Sequence, residues 1–263
     1  GSDSFAEALS YFPNIEYGEA AEHLMWIRKT REAVDLPLIA SLNAYSPGTW
    51  VKYARKLEET GVDALELNPY AVAVNPDLSG ADVEKALYEV VGSVVEEVNI
   101  PVSVKLSPFY TSLMNVAKGI EKSGAAGLVL FNRFLQPDID PVEEKVVNRM
   151  VFSHPHESLL PLRWVALMSR DMDLDLAHNT GIHSGKDAAR ALLAGAKVVQ
   201  VASVLLKEGI PFLSTMLRDL EAWMDERSYG SLDDFRGKLS AEEVEDPFAF
   251  ERAQYVKLLL GQK

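Results

Sequence analysis

Six short apolar runs alternate with amphipathic helical stretches along this chain, and that alternation leaves few folds open. The runs are PLIASLN (37–43), DALELN (63–68), PVSVKLS (101–107), AGLVLFN (126–132), LDLAHN (174–179) and AKVVQVAS (196–203). Most are apolar at successive positions, the pattern of strands covered on both faces in a parallel sheet. Three follow a helix that ends in glycine, at Gly61, Gly124 and Gly195, where a left-handed residue closes the helix cheaply. Two more begin at Pro37 and Pro101, which stop the helix before them. The spacing of Val, Leu, Ile and Ala predicts helices over 19–33, 50–60, 80–98, 111–122, 186–194 and 210–227. Strand, helix, strand, helix at these distances means βα units and a parallel sheet.

A closed (β/α)8 barrel needs eight strands, and six are visible. Residues 134–170 hold one ambiguous run, KVVNRMVFS (145–153), read as an insertion strand or hairpin. The first 36 residues hold no convincing strand. Six parallel strands left open would expose two unpaired edges, which natural proteins avoid. Either the sheet is open and doubly wound, or two N-terminal strands stand outside the sequence.

Composition narrows the function classes. With 26 Lys+Arg against 39 Asp+Glu the chain carries a net charge of −13, which argues against a nucleic-acid groove or an anionic membrane surface. Its 48% apolar residues are enough for a core. No apolar run approaches the length of about 18 residues that a membrane span requires. The N-terminal GSDSFAEALSYF has neither a basic nor an apolar leader region, so no signal peptide is expected. The absence of cysteine excludes disulfides, thiolate metal sites and a cysteine nucleophile, and fits a cytoplasmic protein.

The runs end on polar residues: Asn43, Asn68, Ser107, Asn132, Asn179 and Ser203. In parallel α/β folds that end binds ligands, although each Asn or Ser also suits a helix cap. Lys105 stands inside the otherwise apolar VSVKLSP. It points into a pocket beside an anion or strong acceptors, or it snorkels from an edge. The turn HNTGIHSG (178–185) opens a helix, and the next strand leads to Ala202-Ser203. Two such loops of small residues form a phosphate cradle, or else ordinary βα turns that use glycine. His178 and His183 lack a third ligand at a telling spacing, so no metal is expected. His154 and His156 (SHPHES) read as a mobile loop. The aromatics Tyr45, Tyr70, Phe109, Tyr110, Phe131 and Phe134 suit a flat ligand or loop packing.

On these segments, and above all on TGIHSGKDAARALLAGAKVVQVASVLLKEG and YGSLDDFRGKLS (229–240), the sequence resembles the dihydroorotate dehydrogenase family, most closely its dihydroorotate dehydrogenase-like branch. The resemblance runs from about Pro13 to Ser240. It implies a TIM (β/α)8 barrel of the FMN-dependent type over 1–240 that lacks its first one or two βα units, about 60 to 90 residues. A helical tail over 241–263 would pack on the barrel or on a partner subunit. The implied activity is oxidation of a dihydropyrimidine, dihydroorotate to orotate, by hydride transfer to flavin in pyrimidine biosynthesis. The implied partners are a small-molecule substrate and a second copy in a homodimer. Lys105 matches the lysine at the flavin's pyrimidine edge, where a cation stabilises the electron-rich ring. Asn68 and Asn132 match amides at the flavin or substrate edge, and Asn43 a further wall of that site. Thr180-Gly181 matches a Gly-Gly pair, and Ala202-Ser203 a Gly-Thr pair, that hold the FMN phosphate. The family's proton acceptor, a Cys or Ser after the DALELN strand, has no counterpart in NPYAVAVNP, where Tyr70 is the nearest titratable group. That leaves a flavin- or phosphate-binding barrel without dihydroorotate turnover as the alternative. A phosphorylated-sugar barrel using Lys105 as a Schiff-base or phosphate lysine is a third reading.

Overall fold

The computed structural model describes residues 18–44, 47–69, 72–134 and 136–251. Tyr45 and Tyr70 lie outside them, as does the tail beyond Glu251.

The parallel strands are β1 (Ile39–Leu42), β2 (Ala64–Leu67), β3 (Val102–Leu106), β4 (Gly127–Leu130), β7 (Asp175–Asn179) and β8 (Val198–Gln200), in the sheet order β1-β2-β3-β4-β7-β8. The antiparallel hairpin of β5 (Pro137–Asp140) and β6 (Lys145–Asn148) interrupts the series, as expected of the KVVN run. The helices are α1 (Gly18–Ala33), α2 (Pro47–Glu58), α3 (Gly80–Val95), α4 (Leu113–Lys122), α5 (Leu159–Asp171), α6 (Gly185–Ala194), α7 (Ser203–Glu208), α8 (Phe212–Glu226) and α9 (Phe248–Glu251). Six parallel strands alternating with helices make this an α/β fold of the TIM-barrel type.

Two compact units make up the chain. The first comprises residues 1–105 and 110–126, the second 106–109 and 127–263. In the first, β1, β2 and most of β3 bury Ala40, Leu42, Leu65, Leu67, Val102 and Val104. Burial alternates along β1 and β3, so one face of each is fully covered and the other is exposed in β1 and half-buried in β3. The expectation of strands covered on both faces holds in β2, where Leu65, Glu66 and Leu67 are all buried, and fails in β1, where Ile39 and Ser41 are exposed; Ser41, Glu66, Ser103 and Lys105 share the second face. Helix α3 starts at a capping box in which Ser79 and Asp82 satisfy each other's backbone N–H groups.

In the second unit Leu128, Val129, Leu130, Leu176 and Ala177 are buried; α5 packs on β4 and β7, α6 packs on α5 and β8, and α8 packs on α6. Helix α5 was not expected, because Pro161 breaks the periodicity of LLPLRWVALMSRD; in the first turn of a helix its missing N–H costs nothing. The residues of SHPHES also differ from the expected mobile loop. Pro155–Ser158 form a 3-10 turn that leads straight into α5, fixed by the His154 N–H donating to Glu157. As far as Glu251 the tail packs on α5, through the Ala241 N–H to the Ala166 carbonyl and an Arg170–Glu251 ion pair at 3.6 Å. Among the described residues no helix is long and apolar enough to cross a membrane.

Candidate active site

Side chains alternate between the faces of a strand, so strand register decides which polar residues can meet. Ser41 stands opposite Glu66, and Glu66 opposite Ser103, in a row across β1, β2 and β3. Lys105 lies two residues beyond Ser103 on the same face. The Ser41 hydroxyl donates to Glu66 Oε1 at 3.0 Å, and Lys105 Nζ stands 3.5 Å from the same oxygen. The Ser103 hydroxyl donates to the Leu65 carbonyl at 3.2 Å. The Glu66 side chain is 6% exposed and that of Lys105 18%, so the pair lies largely out of water while the lysine remains reachable.

Lys105 therefore has the anion that its apolar surroundings demand. Glu66, its partner, was not singled out from the sequence. The available signal is a carboxylate at an alternate position of DALEL, on the strand that pairs with the lysine strand. Asn68 ends β2 half-buried, its N–H donating to the Leu42 carbonyl at 2.8 Å, while Asn43 is exposed.

Tyr110 belongs to the first unit. It is packed near Glu84 and Tyr88, and burial, reinforced by the Glu84 charge and by Tyr88, pushes its phenol up to about 12.

In the second unit the ends of β4 and β7 are tied together. Asn179 Nδ2 and the Thr180 hydroxyl both donate to the Phe131 carbonyl, at 2.7 and 3.3 Å, and the Asn132 N–H donates to the Leu106 carbonyl at 2.7 Å. Thr180 and Gly181 are successive left-handed residues, with φ of 80° and 75°. A Cβ on Gly181 would lie 2.4 Å from the Ser158 amide nitrogen, so glycine is required here by close packing of backbone on backbone. At the end of β8 the Ser203 hydroxyl oxygen accepts the Ser153 N–H at 3.0 Å, and Ser153 Oγ lies 3.2 Å from His183 Nε2. The loop after the hairpin thus joins His183 to Ser203, two groups that the sequence left unlinked. Ala202 is exposed beside them.

Phe109 and Phe134 meet edge to face at 5.6 Å, and Phe131 is buried. His154 and His156 stack on each other at 5.8 Å. Arg133 Nε donates to Glu157 at 2.9 Å. Burial works against the Glu157 charge, but the Arg133 and His154 hydrogen bonds hold its carboxyl below the usual range.

His178 and His183 do not form a pair. His178 is buried with Nε2 3.3 Å from the Ser158 hydroxyl and 3.2 Å from the Ser158 carbonyl oxygen. Burial lowers its pKa to about 4, so it is neutral. Among the described residues no group of three or more His, Asp or Glu is placed to hold a metal ion.

Parallel strands alternating with helices, with polar groups on one face of β1, β2 and β3 and others at the ends of β4 and β7, are the pattern of a barrel-type α/β enzyme. The chain belongs to the dihydroorotate dehydrogenase family, whose model matches residues 11–224, and is an oxidoreductase of that family. It is 30% identical to a protein named dihydroorotate dehydrogenase B (NAD(+)), catalytic subunit, from Methanothermobacter thermautotrophicus, over 77% of this chain and 69% of that protein. Proteins of the same name from Thermoplasma volcanium and Bacillus cytotoxicus are each 29% identical. The first match covers 76% of this chain and 67% of the relative, the second 86% and 73%.

Proposed function

We propose that the chain is an FMN-dependent oxidoreductase of pyrimidine biosynthesis that oxidises dihydroorotate to orotate. The observation that carries this reading is Lys105: an ammonium group on a strand face, partnered by a largely buried carboxylate and still reachable.

The chemistry of these donors, a cation, amides and backbone N–H groups of small residues, suits FMN. Bound there, FMN would supply the hydride acceptor. Lys105 would place positive charge at the pyrimidine edge, where negative charge gathers on reduction. Asn43, Asn68 and Asn132 would offer amide groups to the ring or the substrate. Backbone N–H groups of Thr180-Gly181 and Ala202-Ser203 would hold the phosphate, and the Ser203 hydroxyl, which accepts from Ser153, can still donate its own proton. Tyr70 is the proton acceptor in this reading, and a phenol in that role needs strong perturbation from its ordinary pKa of about 10. The family resemblance supports a homodimer.

The loop NPYAVAVNP, with neither Cys nor Ser, favours a second reading: a flavin-binding relative that does not turn over dihydroorotate. The test is to load purified protein with FMN, remove free flavin, and add dihydroorotate without oxygen. Bleaching of the yellow flavin band supports the first reading. A retained but unbleached flavin supports the second, and failure to retain FMN sinks both.

A further inference from the structure

We propose that Glu66 is the positioning residue of Lys105: its carboxylate, anchored by Ser41, sets where the ammonium stands and offsets part of its charge. The inference rests on the flavin reading above and deepens it, because it concerns how the site tunes its bound ring.

Three observations carry it. First, a carboxylate in the middle of an apolar strand is costly. Burying a charge takes several kcal/mol before pairing offsets any of it, and apolar residues of similar volume usually serve a fold as well or better. Second, three strands converge on one atom. Ser41 from β1 and Lys105 from β3 both address Glu66 Oε1 on β2, at 3.0 and 3.5 Å. Third, the two distances differ in kind. The serine bond has ordinary length, so the carboxylate is fixed. The lysine stands well beyond the roughly 2.7–2.9 Å of a tight charge-assisted bond, so its ammonium is held near the carboxylate without being locked onto it. A cation held in this way can face a ligand with a charge reduced by its neighbour.

The consequence is specific. Glu66→Gln keeps the shape and an acceptor oxygen but removes the negative charge. The full charge of Lys105 then acts on the bound ring, and the flavin midpoint potential becomes more positive. Glu66→Asp keeps the charge and returns the potential toward that of the wild type.

A second readout does not depend on flavin. In the apo protein the Lys105 amine is labelled with an acetylating reagent at fixed pH and followed by peptide mass spectrometry. Glu66→Gln removes the anion that holds the amine in place, so labelling should accelerate by about threefold or more, with Glu66→Asp near the wild-type rate. Ser41→Ala, a milder change, should shift both readouts in the same direction, and it decides the matter if Glu66→Gln does not fold. Unchanged potential together with unchanged labelling overturns the proposal. If the wild type takes up no FMN, the flavin reading fails by itself, and the labelling rates alone decide whether Glu66 positions Lys105.

Discussion

Gly185, the first residue of α6, carries the backbone of α8 directly over its α-carbon. A methyl group there would lie 2.5 Å from the Leu220 amide nitrogen and 2.5 Å from the Met216 carbonyl oxygen. Neither is the end of a flexible side chain, so the helices must separate to admit it. Gly185→Ala should cost about 1–3 kcal/mol, the range for overpacking a close contact, and lower Tm by several degrees. Calorimetry of the two proteins checks this, and an unchanged Tm would show that the helices part easily. The neighbouring cap, in which the Ser184 hydroxyl oxygen accepts the Asp187 N–H at 3.2 Å, stays intact in the variant.

His178 makes stability depend on pH. Its folded pKa, lowered by burial to about 4, lies below the roughly 6.5 of an exposed histidine, so the unfolded chain binds the proton more readily. The stabilisation is complete above about pH 6.5 and is lost as the pH falls toward 4, amounting to about 3 kcal/mol over the whole window. His178→Gln removes this titration. Urea unfolding between pH 7.5 and 4.5 should show the wild type losing stability faster than the variant on acidification. Parallel curves would exclude His178 as the source.

The strand series was legible because its physical cause is local. Helical stretches stopped by Gly61, Gly124 and Gly195 announce the strands that follow, and all three glycines have the positive φ that this requires. The hairpin was visible in KVVN for the same reason. Helix α5 was not, because Leu159 and Leu160 are exposed and Pro161 interrupts the spacing, so its first turn carries no amphipathic signal. The site was legible in part. Lys105 stood out as a charge in an apolar strand, whereas Glu66 looked like an ordinary outward residue until strand register set it beside Ser41 and Lys105. The link from His183 through Ser153 to Ser203 spans 30 and 50 residues of sequence through an irregular loop, and no periodicity encodes such a meeting.

Thr180 and Gly181 share a left-handed backbone but should respond differently to substitution. A β-branched residue at φ 80° is strained, by about 1–3 kcal/mol in general, and its compensation here is one hydroxyl bond of 3.3 Å to Phe131. Thr180→Gly relieves that strain, which offsets the added chain entropy of glycine and the lost hydroxyl bond, and should leave stability within about 1 kcal/mol of the wild type. Gly181→Ala combines an unfavourable φ with a Cβ pressed against the Ser158 amide, and should lose at least about 2 kcal/mol. Chemical unfolding of both variants measures the contrast. Equal losses at the two positions would mean that the turn itself, and not its steric fit to Ser158, limits what this loop accepts.

Tyr110 offers a spectroscopic check on the first unit. Its phenol, raised to about 12 by burial first and then by the Glu84 charge and Tyr88, should ionise well above the roughly 10 of a free phenol. The sign for stability follows. The folded state holds this proton more tightly than the unfolded chain, so the contribution is complete below about pH 10 and is lost as the pH rises through about 12. Ultraviolet titration of the phenolate band should show one tyrosine fewer ionising in the late phase when Tyr110 is replaced by Phe. Glu84→Gln should move that late phase to lower pH, because it removes a neighbouring negative charge and leaves the burial in place. A late phase that survives Tyr110→Phe unchanged would assign it to another tyrosine.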